Sequence, residues 1–512
     1  LLAVTYDATS LQARRPQVVA RESSLGASLL REQLFAHTGL ITRVLAVPAT
    51  SLAAAEASLR SQAGVKSVSL TGSLRSTFSV IAPYYTNDPY FNGFLNPTPP
   101  AVSTYHVPPY EESASVPGQW DMHAIGLGDA WEYSQTDNGS TIYNAAAIGK
   151  STTKIAVIDT GADTLQPKLA SKVVYQRCFI TDTNNVQSTS DFSTDPQGHG
   201  TDVTGLAGDE INAGFGFVGA GGNSTLYSYR VFPTPDDNCT NSNSTDAQCD
   251  ASSNDIISAI EDAVSQGVNV ISLSFGGGGC TNGQDQDSFE GNAIADAIAA
   301  NIIVVAAAGN VESSGGSTAL SAPACDPGVI AVGASALADG QPNGSNFGSG
   351  SSAAPVEYIP TYSRYGSPAA DVNSANAWGI VAPGGDSASV NDQDDLHWIN
   401  NIWTSTPFDS KFAGSCGVDY PGTGTTVECQ VFIDGTSMAT PIVAGSAALI
   451  ISANPSYQSP TRMKQLLCST ADDIAAAHEG CGRLDIYRAM ATAVGDQSPP
   501  ASSTSAAARS RT

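Results

Sequence analysis

"KIAVIDTGAD", residues 154–163, is an apolar run of strand length that ends on an acid. It lacks the polar alternation of a half-exposed strand, so it reads as a strand covered on both faces. Three further runs share its character: "GVNVISLSF" (267–275), "NIIVVAAAG" (301–309) and "GVIAVGA" (328–334). Between them, "NDIISAIEDAVSQG" (254–267) and "FEGNAIADAIAAN" (289–301) carry apolar residues at helical spacing. Buried strands alternating with helices predict an α/β domain with a mostly parallel sheet and helices on both faces. Function in such a sheet gathers at the carboxyl ends of its strands. Asp159 stands at one of those ends.

Three more segments carry chemistry. "QGHGTDVTG" (197–205) places His199 between two glycines at the entry to a helix, with Asp202 three residues on. "VVAAAGN" (304–310) ends a strand near Asn310, and "FIDGTSMATPIVAGSAALI" (432–450) places Ser437 at the start of a long apolar helix. Each residue alone has an ordinary explanation as a turn, a strand end or a helix cap. Together they supply what acyl transfer needs: a nucleophile, a base, an acid to orient the base, and donors for an oxyanion. A helix start suits Ser437, because free N–H groups and the positive end of the dipole stabilise developing negative charge.

These segments resemble the subtilisin-like serine proteases, the subtilases, over roughly 118–496. Asp159 matches the family's catalytic Asp in its Asp-Thr-Gly segment. His199 matches the first His of His-Gly-Thr-His-Val-Ala-Gly, Asn310 the oxyanion Asn of Ala-Ala-Gly-Asn, and Ser437 the nucleophile of Gly-Thr-Ser-Met-Ala-x-Pro. The order Asp, His, Ser is that of subtilisin. "GIVAPGG" (379–385) and "CGRLDIYRA" (481–489) resemble family segments before the nucleophile and near the C-terminus. The resemblance implies a three-layer subtilisin-like fold and a secreted serine endopeptidase made as an inhibited zymogen.

The resemblance also implies subsites. Ser274, Phe275 and Gly276 form one edge for substrate; Ala307, Ala308 and Gly309 line the primary specificity pocket, with Ser321 near its base. These segments hold no charged residue, which predicts an apolar or aromatic residue at P1, the position whose carbonyl is attacked. The family's second His is Asp202 here, within three residues of the base, and its charge is expected to bear on the pKa of His199. No cofactor is required. Asp88, in "NDPY", fits a calcium ligand of some relatives, but the partner Asp of that site is Lys168 here.

The expected organisation is an α+β propeptide (1–80), a Pro-, Tyr- and Asn-rich connector (81–117), the peptidase domain (118–496) and a Ser/Pro/Ala tail (497–512). In the first part, 23–37 and 50–64 read as helices, and 42–48 and 65–72 as strands. This propeptide is expected to act as folding chaperone and inhibitor.

A net charge of −26 repels phosphate backbones and anionic lipid, so neither nucleic acid nor a membrane surface is an expected partner. The longest apolar candidate, residues 442–453, is short of the ~20 residues of a membrane span. The expected partners are a peptide substrate and the chain's own propeptide, acting on a monomer. Nine cysteines suggest an oxidising compartment, with pairs 239–249, 416–429, 468–481 and 280–325, and Cys178 left over. Two competing readings are an inactive binding protein on the same fold and a sedolisin-like acid peptidase. His199 and Asn310 argue against the second, which uses Glu as base and Asp as oxyanion donor.

Overall fold

The computed structural model describes residues 2–35, 40–48, 51–70, 119–134, 148–164, 166–181, 187–190, 195, 198–211, 217–232, 251–277, 280–281, 284–285, 288–311, 316–338, 356–368, 371–386, 399–404, 414–416 and 428–495. The chain divides into two units, Leu1–Ile81 and Ala82–Thr512.

The first unit runs β1 (Leu2–Asp7), a helix (Ala8–Ser24), β2 (Ser28–Phe35), β3 (Leu40–Ala46), a helix (Leu52–Arg60) and β4 (Val65–Leu70). The sheet order β2-β3-β1-β4, antiparallel throughout, is that of a split βαβ module. Its core holds Val4, Tyr6, Leu11, Val18, Ile41, Leu45, Leu59 and Val68.

Within the expected helix 23–37, residues 28–35 form a strand instead. The helix ends at Ser24 and is capped by Asp7, whose carboxylate accepts from the Ser10 amide at 2.9 Å. It stops where Gly26 and Ala27 donate back to the Ser23 and Glu22 carbonyls. The chain then enters β2, where Glu32 sits directly across from Arg43 on β3 and pairs with it. Arg43, 1% exposed, also forms a bidentate pair with Glu22 at 2.8 and 2.9 Å. Tertiary charge pairing thus outweighs the local helical pattern.

The second unit is built on a nine-stranded sheet. Its strands are β5 (Lys154–Asp159), β6 (Val173–Thr181), β7 (Gln187–Ser190), β8 (Thr225–Arg230), β9 (Val270–Leu273), β12 (Ile303–Ala307), β13 (Ile330–Ala338), β14 (Val356–Tyr358) and β15 (Gly379–Pro383). Outside it lie a small hairpin, β10 (Cys280–Thr281) with β11 (Gln284–Asp285), and a three-stranded sheet, β16 (Ile399–Thr404), β17 (Gly414–Cys416) and β18 (Glu428–Ile433). The main order is β14-β13-β12-β9-β5-β8-β6-β7, with β15 beside β13. All pairs in this sheet are parallel except β13–β14 and β6–β7.

Side chains alternate between two cores, which makes three layers. Ile155 and Val157 of β5 enter one core, and Ala156 and Ile158 the other. The first core is roofed by the helices His199–Gly208 and Thr436–Ala453, the second by Ser253–Ser265 and Ser288–Ala299. Helix Thr436–Ala453 is apolar and long, but 89% of it is buried, as befits the central helix of a core. The segment 481–489 is held from within. Arg483, with no exposed surface, pairs with Glu357 at 3.1 Å and Asp472 at 2.7 Å.

Among the described residues two of the expected disulfides are formed, Cys280–Cys325 and Cys468–Cys481. Cys416 and Cys429 face each other in register across β17 and β18, while the 239–249 pair lies outside the described residues. Cys178 is buried.

Candidate active site

Three adjacent parallel strands, β12, β9 and β5, point their carboxyl ends at one place. By the two-residue period, Asp159 follows Val157 onto the face roofed by the His199 and Ser437 helices. It is 1% exposed. Its Oδ1 accepts from the Thr160 amide at 2.7 Å and meets His199 Nδ1 at 2.8 Å. The His199 side chain is 24% exposed, so its other edge can reach solvent or substrate.

The Gly-His-Gly loop has a specific cause on each side. Gly198, the helix N-cap, has φ +100°, in the left-handed region that disfavours a side chain. A Cβ on Gly200 would lie 2.2 Å from the Gly161 carbonyl oxygen, so only glycine lets the helix approach the turn after Asp159. The Gly200 amide donates to Thr160 Oγ1 at 2.7 Å, fastening the two segments. Asp195 completes the cap: its carboxylate accepts from the Gly198 and Thr201 amides and the Thr201 hydroxyl, each at 2.8 Å. Sequence reading missed Asp195, although an acid just before a helix start is a recognisable capping signal.

Asn310 lies just past β12. Its Oδ1 accepts from the Thr436 amide at 3.1 Å and the Thr436 hydroxyl at 2.8 Å. That pattern assigns the amide's orientation and leaves its NH₂ as the donor end. Ser437 lies in the first turn of its helix, where backbone N–H groups have no intrahelical acceptor. The Ser437 hydroxyl donates to the Ser274 carbonyl at 2.8 Å. It makes no hydrogen bond to His199 among the described residues.

Asp159, His199, Asn310 and Ser437 line one cavity of about 270 Å³. Of the expected subsite residues, Ser274, Phe275, Gly276, Ala307, Gly309 and Ser321 line it too. Ala308 does not. It alternates with Ala307 and turns into the second core, as Ala306 does. The Cys280–Cys325 disulfide and the Gly277 amide, donating to the Ala322 carbonyl at 3.1 Å, tie the Phe275–Gly276 edge to the Ser321 segment.

Arg364 also lines the cavity, which corrects the expectation that no charged residue stands near the expected specificity pocket. Its amide donates to the Gly309 carbonyl at 3.0 Å, its Nε to the Asn310 carbonyl at 3.0 Å and its Nη1 to Ser321 Oγ at 2.8 Å. It sits in an irregular stretch, "TYSRYG", that carries no pattern signal. Only the fold brings it beside Gly309.

At His199 burial and the neighbouring charges oppose each other. Burial presses the His199 pKa down, but the adjacent Asp159 carboxylate, its hydrogen bond, and the charges of Asp202 and Asp195 outweigh this and push it up to about 9. Asp202, 1% exposed, is held well above the usual carboxylate range by burial and by the charges of Asp209, Asp121 and Asp159, against the opposing pull of His199. Burial thus works against the charged form of Asp202, while the neighbouring His199 works for it.

Asp88 lies outside the described residues. Lys168 is fully buried. Among the described residues no group of three or more His, Cys, Asp or Glu is placed to hold a metal ion.

Comparison with known proteins gives the family. The profile of the Subtilase family matches residues 150–496. Subtilisin DY of Bacillus licheniformis is 29% identical over 337 residues, covering 66% of this chain and 90% of its own length. Thermitase of Thermoactinomyces vulgaris is 28% identical, covering 66% and 88%. Among solved structures, fervidolysin from Fervidobacterium pennivorans aligns at a TM-score of 0.52, with 18% identity, over 96% of this chain and 60% of its own. A protease from Pseudoalteromonas arctica gives 0.51 with 23% identity over 73% and 97%. These two likenesses concern the fold. With the family match spanning well over half the chain, the protein belongs to the subtilase family and is a serine endopeptidase.

Proposed function

We propose that Ser437 is the nucleophile, His199 the general base and then acid, Asp159 the residue that orients it, and Asn310 an oxyanion donor. The observation that carries this reading is the 2.8 Å contact of His199 Nδ1 with Asp159 at the mouth of the cavity that Ser437 and Asn310 also line. Substrate adds as a strand along Ser274–Gly276 and takes the Ser274 carbonyl for its own N–H. That competes with the Ser437 hydroxyl for its acceptor and frees it to turn toward His199. His199 removes the hydroxyl proton as the oxygen attacks the scissile carbonyl. Asn310 and the Ser437 amide stabilise the oxyanion, and Asp159 stabilises the imidazolium. The proton passes to the leaving amine, and water then hydrolyses the acyl-enzyme by the same steps.

The N-terminal unit acts as propeptide on this reading, assisting folding and inhibiting the enzyme until cleaved. Its support is its N-terminal place and its own core within the first 81 residues. Secretion into an oxidising compartment is supported by the two disulfides. A fluorophosphonate probe tests the catalytic reading: it labels Ser437 after removal of the N-terminal unit, and a failure to label removes the reading.

A further inference from the structure

The cavity contains a cation that the catalytic steps do not use. Arg364 spends two guanidinium donors, on the Asn310 carbonyl and Ser321 Oγ. Among the described residues it forms no salt bridge, in a chain with 48 acids against 22 Lys and Arg. The remaining N–H groups of its fork are suited to a carboxylate. Ser321 adds to this. Its oxygen accepts from Arg364, which leaves its own hydroxyl proton to donate. Two adjacent side chains therefore offer donors to whatever occupies this part of the cavity. Gly309, Ala307 and Gly276 beside them contribute little bulk.

We propose that Arg364 and Ser321 select an acidic residue, Asp or Glu, at P1, with the guanidinium and the hydroxyl holding its carboxylate. This rests on the reading of the cavity as the primary specificity pocket of a Ser437 protease. The alternative role for Arg364 is a brace that fixes the Asn310 backbone and Ser321. A brace would matter equally for every substrate. A carboxylate receptor discriminates between substrates that differ by one charge.

The test uses the enzyme freed of its N-terminal unit, with active sites counted by fluorophosphonate labelling of Ser437. Matched peptides differ only at P1: Glu, Gln, Asp, Phe and Lys. The expected result is a Glu over Gln preference in kcat/KM of roughly 10- to 100-fold, with Lys poorest. Arg364→Met is expected to bring the Glu/Gln ratio near unity while Ser437 still labels. A labelled enzyme that cleaves Gln or Phe as well as Glu overturns the proposal and leaves the catalytic reading standing. So does an Arg364→Met variant that loses activity on all peptides alike with its Glu/Gln ratio intact. If that variant does not label, the Glu/Gln ratio of the unmodified enzyme decides alone. An unmodified enzyme that neither labels nor cleaves overturns the catalytic reading, and the proposal with it.

Discussion

The Asp159–His199 corner and the Arg364–Ser321 wall line the same cavity, and each joins residues about equally far apart in the chain, 40 and 43 positions. The first was legible in sequence and the second was not. At the first, the backbone itself restricts the residues: a buried strand must end, a helix must begin, and Gly200 must be bare for the two to meet. Such constraints leave contiguous patterns. At the second, an ordinary residue in an irregular stretch is carried to the cavity by scattered backbone bonds, Arg364 to Gly309, Val311 to Tyr362 and Tyr365 to Thr318. Chemistry set by local backbone geometry can be read along the chain. Selectivity set by loop placement needs the fold.

The comparison breaks first at the catalytic corner. Replacing Ser437 or His199 with Ala is expected to lower kcat by about 10⁶-fold, the order known for the corresponding changes in subtilisin. A loss below about 100-fold on purified enzyme, normalised by protein concentration, would mean these residues do not act as a unit.

Asn310→Ala comes next. The corresponding loss in subtilisin is about 10²–10³ in kcat, and a similar order with KM little changed is expected here. A change confined to KM would make Asn310 a binding residue rather than an oxyanion donor. The Arg364→Met test bears on the other wall, where rates on acidic substrates should fall and labelling should persist.

Protonation separates activity from stability. His199, raised to about 9, acts as base only once deprotonated, so the acid limb of kcat/KM should lie above the ordinary imidazole range of about 6.5 and approach 9. Folding runs the other way. The stability that His199 gains from its raised pKa is full below about 6.5 and is lost as pH rises through 9. Burial lifts Asp121 and Glu479 to about 7 and Asp202 well above its usual range, so the folded state holds their protons and weakens as pH climbs from about 4 toward 7. Lys172, pressed down to about 7 by burial, opposes this only above that pH. Tm of a Ser437→Ala protein, which cannot digest itself, should therefore be higher at pH 5 than at pH 8. A flat or rising profile would contradict these assignments.

The smallest effect concerns Asp202. Because Asp202 raises the His199 pKa less than Asp159 does, Asp202→Asn should move the acid limb down by less than Asp159→Asn does. An equal or larger displacement would contradict that ranking of the two carboxylates.

Elsewhere the sequence was readable where one element buried one pattern. The four buried strand runs and the helices at 254–267 and 289–301 fall where expected because each lies in a continuous core. Residues 23–37 misled, because their apolar spacing fits a helix while the Glu32–Arg43 pairing across strands decides otherwise. Ala308 was misplaced by one step of strand alternation, since a family segment does not say which of its residues turns outward.

The central claim is that Ser437 is a nucleophile activated by His199. Its most direct test is fluorophosphonate labelling of the processed enzyme, with the modified residue located by peptide mass mapping and the rate followed against pH. The predicted result is a single adduct on Ser437, abolished in His199→Ala and accelerating as pH rises toward 9. An adduct elsewhere, or labelling of Ser437 that is indifferent to His199, would contradict it.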